Sequence, residues 1–323
     1  MPQPDRNAVH VNQPLSNVSV AYMQDQSQYV STRAFPVIPV TKQSDVYFSY
    51  TKNDFFRDQA QRRAPGTESA GGGYGVDGTN SYSCRIEAFH KDVDSQVRSN
   101  SDSPLSPDQD AVRFVSQVLM VRQEVQWAST FFQSSIWGTD VTPANLWSDY
   151  TNSTPITDIE TGITTILTNT GKKPNKLVLG YPTFIKLKHH PDIIDRIKYT
   201  AGMGDPALAS PQTLAKLFGV KEVLVCEAVY ATNNENETAV MSFVQGKHAL
   251  LCYAAESPSI MEPSAGYTFQ WTGISKGLGL STAIYSIPMD WLGVGTVRQE
   301  GEIAYAQKAV STDCGYFFAS VVA

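Results

Sequence analysis

Charged residues are scarce in this sequence, and positive charge is not in excess. Asp, Glu, Lys and Arg make up 17% of the 323 residues, against about a quarter in an average globular protein. The 25 Lys and Arg are outnumbered by 31 Asp and Glu, so the net charge is −6. This excludes the basic surface with which a dedicated nucleic-acid binder neutralises phosphates. A surface with little charge suits burial against other subunits, so the composition favours an assembly.

Cysteine and long apolar runs are also scarce. The four cysteines, Cys84, Cys226, Cys252 and Cys314, form no C-x-x-C pair, which excludes the usual zinc and disulfide frameworks and predicts reduced, buried thiols. The longest apolar runs, such as residues 249–255, fall far short of the roughly 20 residues that span a bilayer. The N-terminal segment is polar and carries prolines, unlike a secretory signal. We therefore expect a soluble protein of a reducing cytoplasm, without membrane contact.

Motifs of catalysis and cofactor binding are absent or out of context. Residues 73–78 match G-x-G-x-x-G, but a strand-like segment follows where a dinucleotide site needs a helix. The His189–Asp192 run could suggest a metal, but adjacent side chains on a helix point about 100° apart. We predict no enzyme, no cofactor and no metal. A carboxylate pair such as Glu256 and Glu262 keeps a soluble carboxylate-using enzyme open as an alternative.

The N-terminal part is predicted to be extended. Residues 1–40 are polar, carry five prolines and have no helical period, which predicts an arm. Strand-like sequence follows around 46–50 and 84–89, separated by a long loop with three consecutive glycines at 71–73. Such loops are uncommon in compact domains and are often functional, so we predict a projecting hairpin over 41–97. Because arm and hairpin lack a core, we expect neighbouring chains to order them.

Three arginines give this hairpin a basic loop: Arg57, Arg62 and Arg63. A guanidinium group on a projecting loop can bind a carboxylate of a neighbour through paired hydrogen bonds. A basic loop that is simply solvated is the alternative. We predict that the three arginines lie at a subunit interface.

A long helix is predicted over about 107–132. Ser106 as N-cap, Pro107 at the first position and Gln109 form a capping box. The helix would be a rod of roughly 40 Å, because each residue rises about 1.5 Å. Its apolar residues are spaced by three and four, which predicts one buried stripe: Ala111, Phe114, Val118, Val121, Val125, Ala128 and Phe132.

The second half alternates between helix and strand signals before turning to strands alone. Helices are predicted from Pro155 to Gly171, from Pro182 to His190 and from Pro211 to Phe218, with short strands between and after them. From Gly266 onward the pattern is β-rich. An α/β unit inserted between an early helix and a late β segment predicts one discontinuous domain around it.

The order of these elements resembles the major capsid proteins of tailed bacteriophages, which have the Hong Kong 97-type shell fold. The resemblance extends from about residue 16 to the end, and four stretches carry it most clearly: 173–180, 181–199, 214–225 and 245–253. It implies an α+β fold with four parts. These are an N-terminal arm (1–40), an extended hairpin loop (41–97), a peripheral domain with the long spine helix (98–149 and 256–323), and an inserted axial α/β domain (150–255).

The resemblance also implies a function. Such subunits assemble as hexamers and pentamers into an icosahedral shell around double-stranded DNA, with a portal at one vertex, and a decoration protein is a further expected partner. Axial loops such as 202–210 would line the capsomer centre, which adds Asp205 to the predicted interface residues. Contact with the packaged DNA is expected to be weak and non-specific. No long charged helical segment precedes the arm, so we expect a separate scaffolding protein. The protein would be assembled in the host cytoplasm and reside in the virion.

One alternative of the same fold stays open beside the enzyme. An encapsulin-like bacterial nanocompartment shell protein resembles the capsid proteins in fold and differs in what it encloses. Nearby terminase, portal or protease genes would favour the phage, and a cargo enzyme with a short targeting tail would favour the compartment.

Overall fold

The structure, a computed structural model, describes residues 24–101, 105–200, 209–257, 262–274 and 282–323. Its strands are β1 (Val37–Val40), β2 (Ser44–Tyr50), β3 (Val76–Ser83), β4 (Arg85–Val93), β5 (Thr139–Val141), β6 (Lys176–Gly180), β7 (Glu222–Cys226), β8 (Val229–Ala231), β9 (Met241–Phe243), β10 (Ala249–Cys252), β11 (Gly266–Trp271), β12 (Thr282–Pro288), β13 (Val297–Ala309) and β14 (Gly315–Phe318).

The helices alternate with these strands along the chain. They are α1 (Ser31–Ala34), α2 (Lys52–Phe55), α3 (Ser95–Asn100), α4 (Pro107–Phe131), α5 (Pro155–Thr170), α6 (Tyr181–Lys188), α7 (Pro191–Thr200) and α8 (Pro211–Phe218). None of the helices in the described ranges is long and apolar enough to cross a membrane.

The spine helix α4 begins at Pro107, as the sequence predicts, but its start is held differently. The Ser106 side chain makes no cap hydrogen bond, so the predicted capping box is wrong. Instead, Asp108 in the first turn accepts two hydrogen bonds from the Arg98 guanidinium, at 2.8 and 2.9 Å. This pair ties the helix start to α3.

The buried face of α4 also differs from the predicted stripe. Phe114 is 50% exposed, and the central valines of the stripe are only partly buried. The buried residues are Ala111, Val115, Leu119, Gln123, Glu124, Trp127 and Phe131. Most of these positions are four apart, so the face turns slowly around the helix as it crosses the sheet. The predicted stripe left out the polar Gln123 and Glu124, and it also left out four apolar residues that are buried: Val115, Leu119, Trp127 and Phe131.

One five-stranded sheet, here the first sheet, lies against α4. Its central strand β13 pairs with β4 on one side and with β12 and β11 on the other, and β1 joins β11 in parallel. Gly301 of β13 allows the close approach of the helix, because a Cβ there would lie 2.6 Å from Val115 Cγ1 and 2.8 Å from Leu119 Cδ1.

A second five-stranded sheet has the order β5-β14-β10-β6-β7. Alternate residues of its strands enter two separate apolar clusters. Leu251 packs in one with residues of α5 to α8, and Leu250 packs in the other with Trp127 of the spine. Strands β5 and β14 lie outside residues 150–255, so this sheet joins the predicted inserted unit to flanking segments. The division into domains stays a prediction.

The local signals of the predicted α/β unit are confirmed. Helix α5 begins at Pro155 and ends at Thr170, and the following Gly171 adopts the left-handed conformation with φ of +67°. Helix α8 begins at Pro211 with Ser210 as N-cap, whose hydroxyl accepts a hydrogen bond from the Thr213 amide. All four cysteines are free and buried, as predicted.

The arm, where the structure describes it, packs on its own subunit. Phe35 is buried, and its ring centroid lies 4.7 Å from that of Phe131 and 5.9 Å from that of Trp127. The expectation that only neighbouring chains order the arm is therefore wrong for residues 24–40. The apolar residues that lie between the prolines and polar residues of this segment attach it to the spine helix.

Candidate subunit-interaction surface

The hairpin consists of β2 and β3, which form a two-stranded sheet of their own. The strand predicted around 84–89 is not part of it, because this sequence, from Arg85 on, lies in β4 and pairs with β13 of the first sheet. Large apolar side chains on its strands point into solvent: Val46, Phe48 and Val76 are each at least half exposed, and Phe48 reaches 64%. An isolated two-stranded hairpin is marginally stable in water. Its exposed apolar face is therefore a surface that gains from covering by another chain.

The foot of the hairpin is anchored to the first sheet. The Tyr82 ring stacks on Phe269, with centroids 4.5 Å apart and planes 9° apart, and Tyr47 stacks on the same ring at 5.7 Å. Further out, Lys52 pairs with Asp313. The hairpin thus leaves the subunit from a fixed base.

An aromatic cluster closes the neck of the hairpin loop. The rings of Tyr50, Phe55 and Tyr74 lie within 5.7 to 6.0 Å of one another. The Thr51 amide donates to the Gly75 carbonyl at 3.2 Å, and the Gly75 amide donates to Asp54 Oδ2 at 2.9 Å. Beyond this neck, residues 57–73 are exposed throughout.

The predicted interface arginines lie on this exposed loop. Arg57 lies 3.9 Å from Asp54 of its own chain, and the Arg63 guanidinium donates to the Thr67 carbonyl. Arg62 is exposed on the same loop. The structure therefore brings the three arginines to one projecting segment, and their role at an interface stays a prediction. Asp205 lies outside the described residues.

A second exposed apolar surface, which sequence reasoning missed, lies at the turn between β12 and β13. Trp291 is 76% exposed and Val294 is 87% exposed, with Leu292 beside them. The turn is held from behind, because Arg98 donates to the Gly295 carbonyl at 3.2 Å. The sequence does contain a signal for this surface, because three large apolar residues lie between Asp290 and Gly295 in a turn, where polar residues are usual. We call residues 289–296 the apolar turn.

The histidine run has a structural role. His190 is buried, and its Nδ1 accepts from the Asp192 amide at 3.3 Å. The proton must then lie on Nε2, which donates to Ser153 Oγ at 3.0 Å. A histidine that donates to a serine cannot remove its proton, so this arrangement does not activate a nucleophile. Burial lowers the pKa of His190, which favours the neutral ring.

The candidate carboxylates Glu256 and Glu262 serve separate contacts. Glu256 pairs with Lys221, whose hydrogen bond lowers the pKa of that carboxyl. Glu262 accepts from the Tyr253 hydroxyl and lies 3.7 Å from Lys172. Within the part of the chain that the structure describes, no group of three or more His, Cys, Asp and Glu could hold a metal ion. The glycines of 73–78 lead from the exposed loop into β3, a strand.

Known proteins resemble this chain in sequence and in fold. No protein-family model matches the chain. It is similar to the major capsid protein of Burkholderia phage BcepMu, with 23% identity over 267 residues that cover 80% of this chain and 83% of that protein.

Three solved structures are similar over nearly the whole chain. A phage-related protein from Bordetella bronchiseptica RB50 has a TM-score of 0.67 at 23% identity, covering 92% of this chain and 93% of its own. The capsid of cyanophage P-SCSP1u has a TM-score of 0.61 at 10% identity, covering 93% and 90%. The SrpI encapsulin from Synechococcus elongatus PCC 7942 has a TM-score of 0.60 at 12% identity, covering 100% and 98%.

The fold is therefore the Hong Kong 97-type shell fold, which confirms the predicted fold class. The resemblance to major capsid proteins of tailed phages, stated from the sequence, is also confirmed by the BcepMu relative and the phage capsid structures.

Proposed function

We propose that this chain is a major capsid protein that assembles as hexamers and pentamers into the icosahedral head shell of a tailed phage, enclosing double-stranded DNA. The observation that carries the proposal is the similarity to the BcepMu major capsid protein along 80% of this chain. The exposed hairpin and apolar turn support it, because a shell provides neighbours that cover such surfaces.

In the proposed shell, the hairpin reaches an adjacent subunit. Arg57, Arg62 and Arg63 would bind carboxylates there, and Phe48 would lie against apolar side chains. Asp205, in the segment predicted to line the capsomer centre, would contribute a further contact.

The proposed partners follow from the same assembly. They are further copies of this chain, a separate scaffolding protein, a portal at one vertex and a decoration protein. Packaged DNA would touch the wall weakly and without sequence preference, in keeping with a net charge of −6. The mature location would be the virion, after assembly in the host cytoplasm.

An encapsulin-like compartment is the second candidate. The observation that favours it is the SrpI encapsulin, which matches 100% of this chain with a TM-score of 0.60. The two candidates share the shell and differ in the contents, so contents decide between them.

Electron microscopy of the protein expressed alone, and with a candidate scaffold, tests the proposal. Closed polyhedral shells, tubes or hexameric rings are expected. Nuclease-protected double-stranded DNA in particles from the native host would support the phage capsid, and a co-purifying cargo enzyme would support the compartment. Monodisperse monomers or dimers under both expression conditions would contradict both candidates.

A further inference from the structure

Glu124 is a buried carboxylate at the point where the arm crosses the spine helix, and it is 0% exposed. Its Oε2 accepts hydrogen bonds from the backbone amides of Val30 at 3.1 Å and Ser31 at 2.8 Å. Its Oε1 accepts from the Cys226 thiol at 3.4 Å and from the Gln245 side-chain amide at 3.1 Å. One carboxylate thus joins the arm, the spine helix, the end of β7 and the segment before β10.

We infer that Glu124 is a clasp that holds the arm on its own subunit, and that the strength of the clasp depends on the charge of this carboxylate. Other polar contacts also hold the arm: β1 pairs with β11, and the Gln117 side chain donates to the Tyr29 hydroxyl. Gln24 exchanges two hydrogen bonds with the Val229 backbone, and Arg33 pairs with Glu222 at the surface. Glu124 accepts from the buried arm amides of Val30 and Ser31, and loss of its oxygens would leave these two N–H groups without acceptors.

All the groups that donate hydrogen bonds to the Glu124 carboxylate are neutral. Two backbone amides, a thiol and an amide group replace the water that a carboxylate has in solution, and burial raises the pKa of Glu124. The titratable groups that face it are the Tyr29 phenol and the Cys226 thiol. Burial raises the pKa of both groups, so both stay neutral in the acid and neutral range.

The sign of the pH effect follows from this environment. A carboxyl whose pKa is higher in the clasped state binds its proton more tightly there than in an opened, hydrated state. The clasp is therefore strongest in acid. The stability of the clasped state decreases as pH rises above the ordinary glutamic acid pKa of about 4.3. It stops decreasing once the pH is above the raised pKa that Glu124 has in the clasped state.

Gln245 suits the site to both protonation states. Its Oε1 is buried without a hydrogen-bond partner in the described structure. A half-turn of the side-chain amide would present this oxygen to the O–H of a protonated Glu124. The same turn would let it accept from the amide group of a glutamine at position 124.

Hydrogen exchange on the unassembled full-length chain tests the clasp. Protection factors of the Val30 and Ser31 amides, which divide out the intrinsic pH dependence of exchange, are measured from about pH 5 to about pH 9. In the wild type, opening should increase by up to about tenfold per pH unit while Glu124 titrates. In Glu124→Gln, protection should remain and be independent of pH.

Two further variants complete the experiment. Glu124→Leu should lose most of the protection at Val30 and Ser31, whereas Glu222→Gln, which removes only the surface pair with Arg33, should keep the wild-type pH profile. A flat wild-type profile, or a titration that persists in Glu124→Gln, would overturn the inference. These two measurements decide the matter even if Glu124→Leu does not fold, and they do not depend on shell formation.

Discussion

The second sheet and the β2–β3 hairpin differ in how far their apolar side chains are buried within the chain. Strand β10 of the sheet is buried along its whole length, between helices on one side and the spine on the other. The hairpin strands carry Val46, Phe48 and Val76 in solvent. The sheet is therefore stabilised within one chain, whereas the hairpin carries apolar side chains that its own chain leaves uncovered. Stability and assembly should respond to different substitutions.

The largest effect on the folded monomer is expected from the core of the second sheet. Leu251→Ala removes a side chain that is fully buried among α5 and its neighbours, and should lower the free energy of unfolding by about 2–5 kcal/mol. Leu167→Ala, on the exposed side of α5, is the matched control and should cost much less. Urea denaturation of both variants checks the difference, and equal losses would contradict it.

A backbone contact beside this sheet allows a second test. A Cβ on Gly180 would lie 1.8 Å from the Gly246 carbonyl oxygen, whereas a Cβ on Gly246 would meet nothing within 4 Å. We expect Gly180→Ala to destabilise the protein by about 3 kcal/mol. Gly246→Ala should be close to neutral. Thermal unfolding that ranks the two variants in the opposite order would refute this account of the contact.

The hairpin should show the opposite behaviour. Residues 57–73 can be replaced by a short Gly-Ser linker that keeps the Thr51–Gly75 neck. This change should alter the free energy of unfolding by no more than about 0.5 kcal/mol. Shell closure should be lost. Circular dichroism and electron microscopy give the two readouts, and normal particles from the shortened chain would remove the hairpin from the assembly surface.

The arginines sharpen this comparison at constant loop length. Replacing Arg57, Arg62 and Arg63 together by Gln should weaken assembly, with the largest difference from the wild type at low salt, and leave monomer stability unchanged. A triple variant with Lys at the same positions retains the charge and loses the paired geometry. Light scattering during assembly would rank the chains as wild type, Lys variant and Gln variant, in order of decreasing rate.

A surface ion pair should give the smallest effect. Arg298 donates to Asp92 at 2.7 and 3.0 Å, and this hydrogen bonding lowers the pKa of Asp92. The stability that the pair contributes is present above the unfolded aspartic acid pKa of about 3.9 and is lost as pH falls through the lower folded pKa. Asp92→Asn should therefore lower the melting temperature slightly near neutral pH and not in strong acid.

Local chemistry made much of this fold predictable. Pro107, Gly171 and the Ser210–Pro211 pair mark helix ends because proline and left-handed glycine restrict the backbone wherever they occur. The face of α4 was not predictable by the same means. Its burial of Glu124 depends on donors from residues 30, 31 and 245, which are distant in sequence.

The candidate surface was predictable only in outline. The long glycine-rich loop indicated a projecting hairpin, and the structure places its arginines there. The exposed positions of Phe48 and Trp291 depend on which strands pair, and aromatic residues in a sequence ordinarily indicate a core. Likewise, β5 and β14 join the second sheet through contacts that no local pattern encodes.

The position of β13 and β14 has a consequence for synthesis of the protein. Strand β13 lies at the centre of the first sheet, and β14 lies between β5 and β10 in the second. Both strands leave the ribosome after every other strand of their sheets. A nascent chain that stops before residue 297 can complete neither sheet, so the two sheets can form fully only after β13 and β14 have been synthesised.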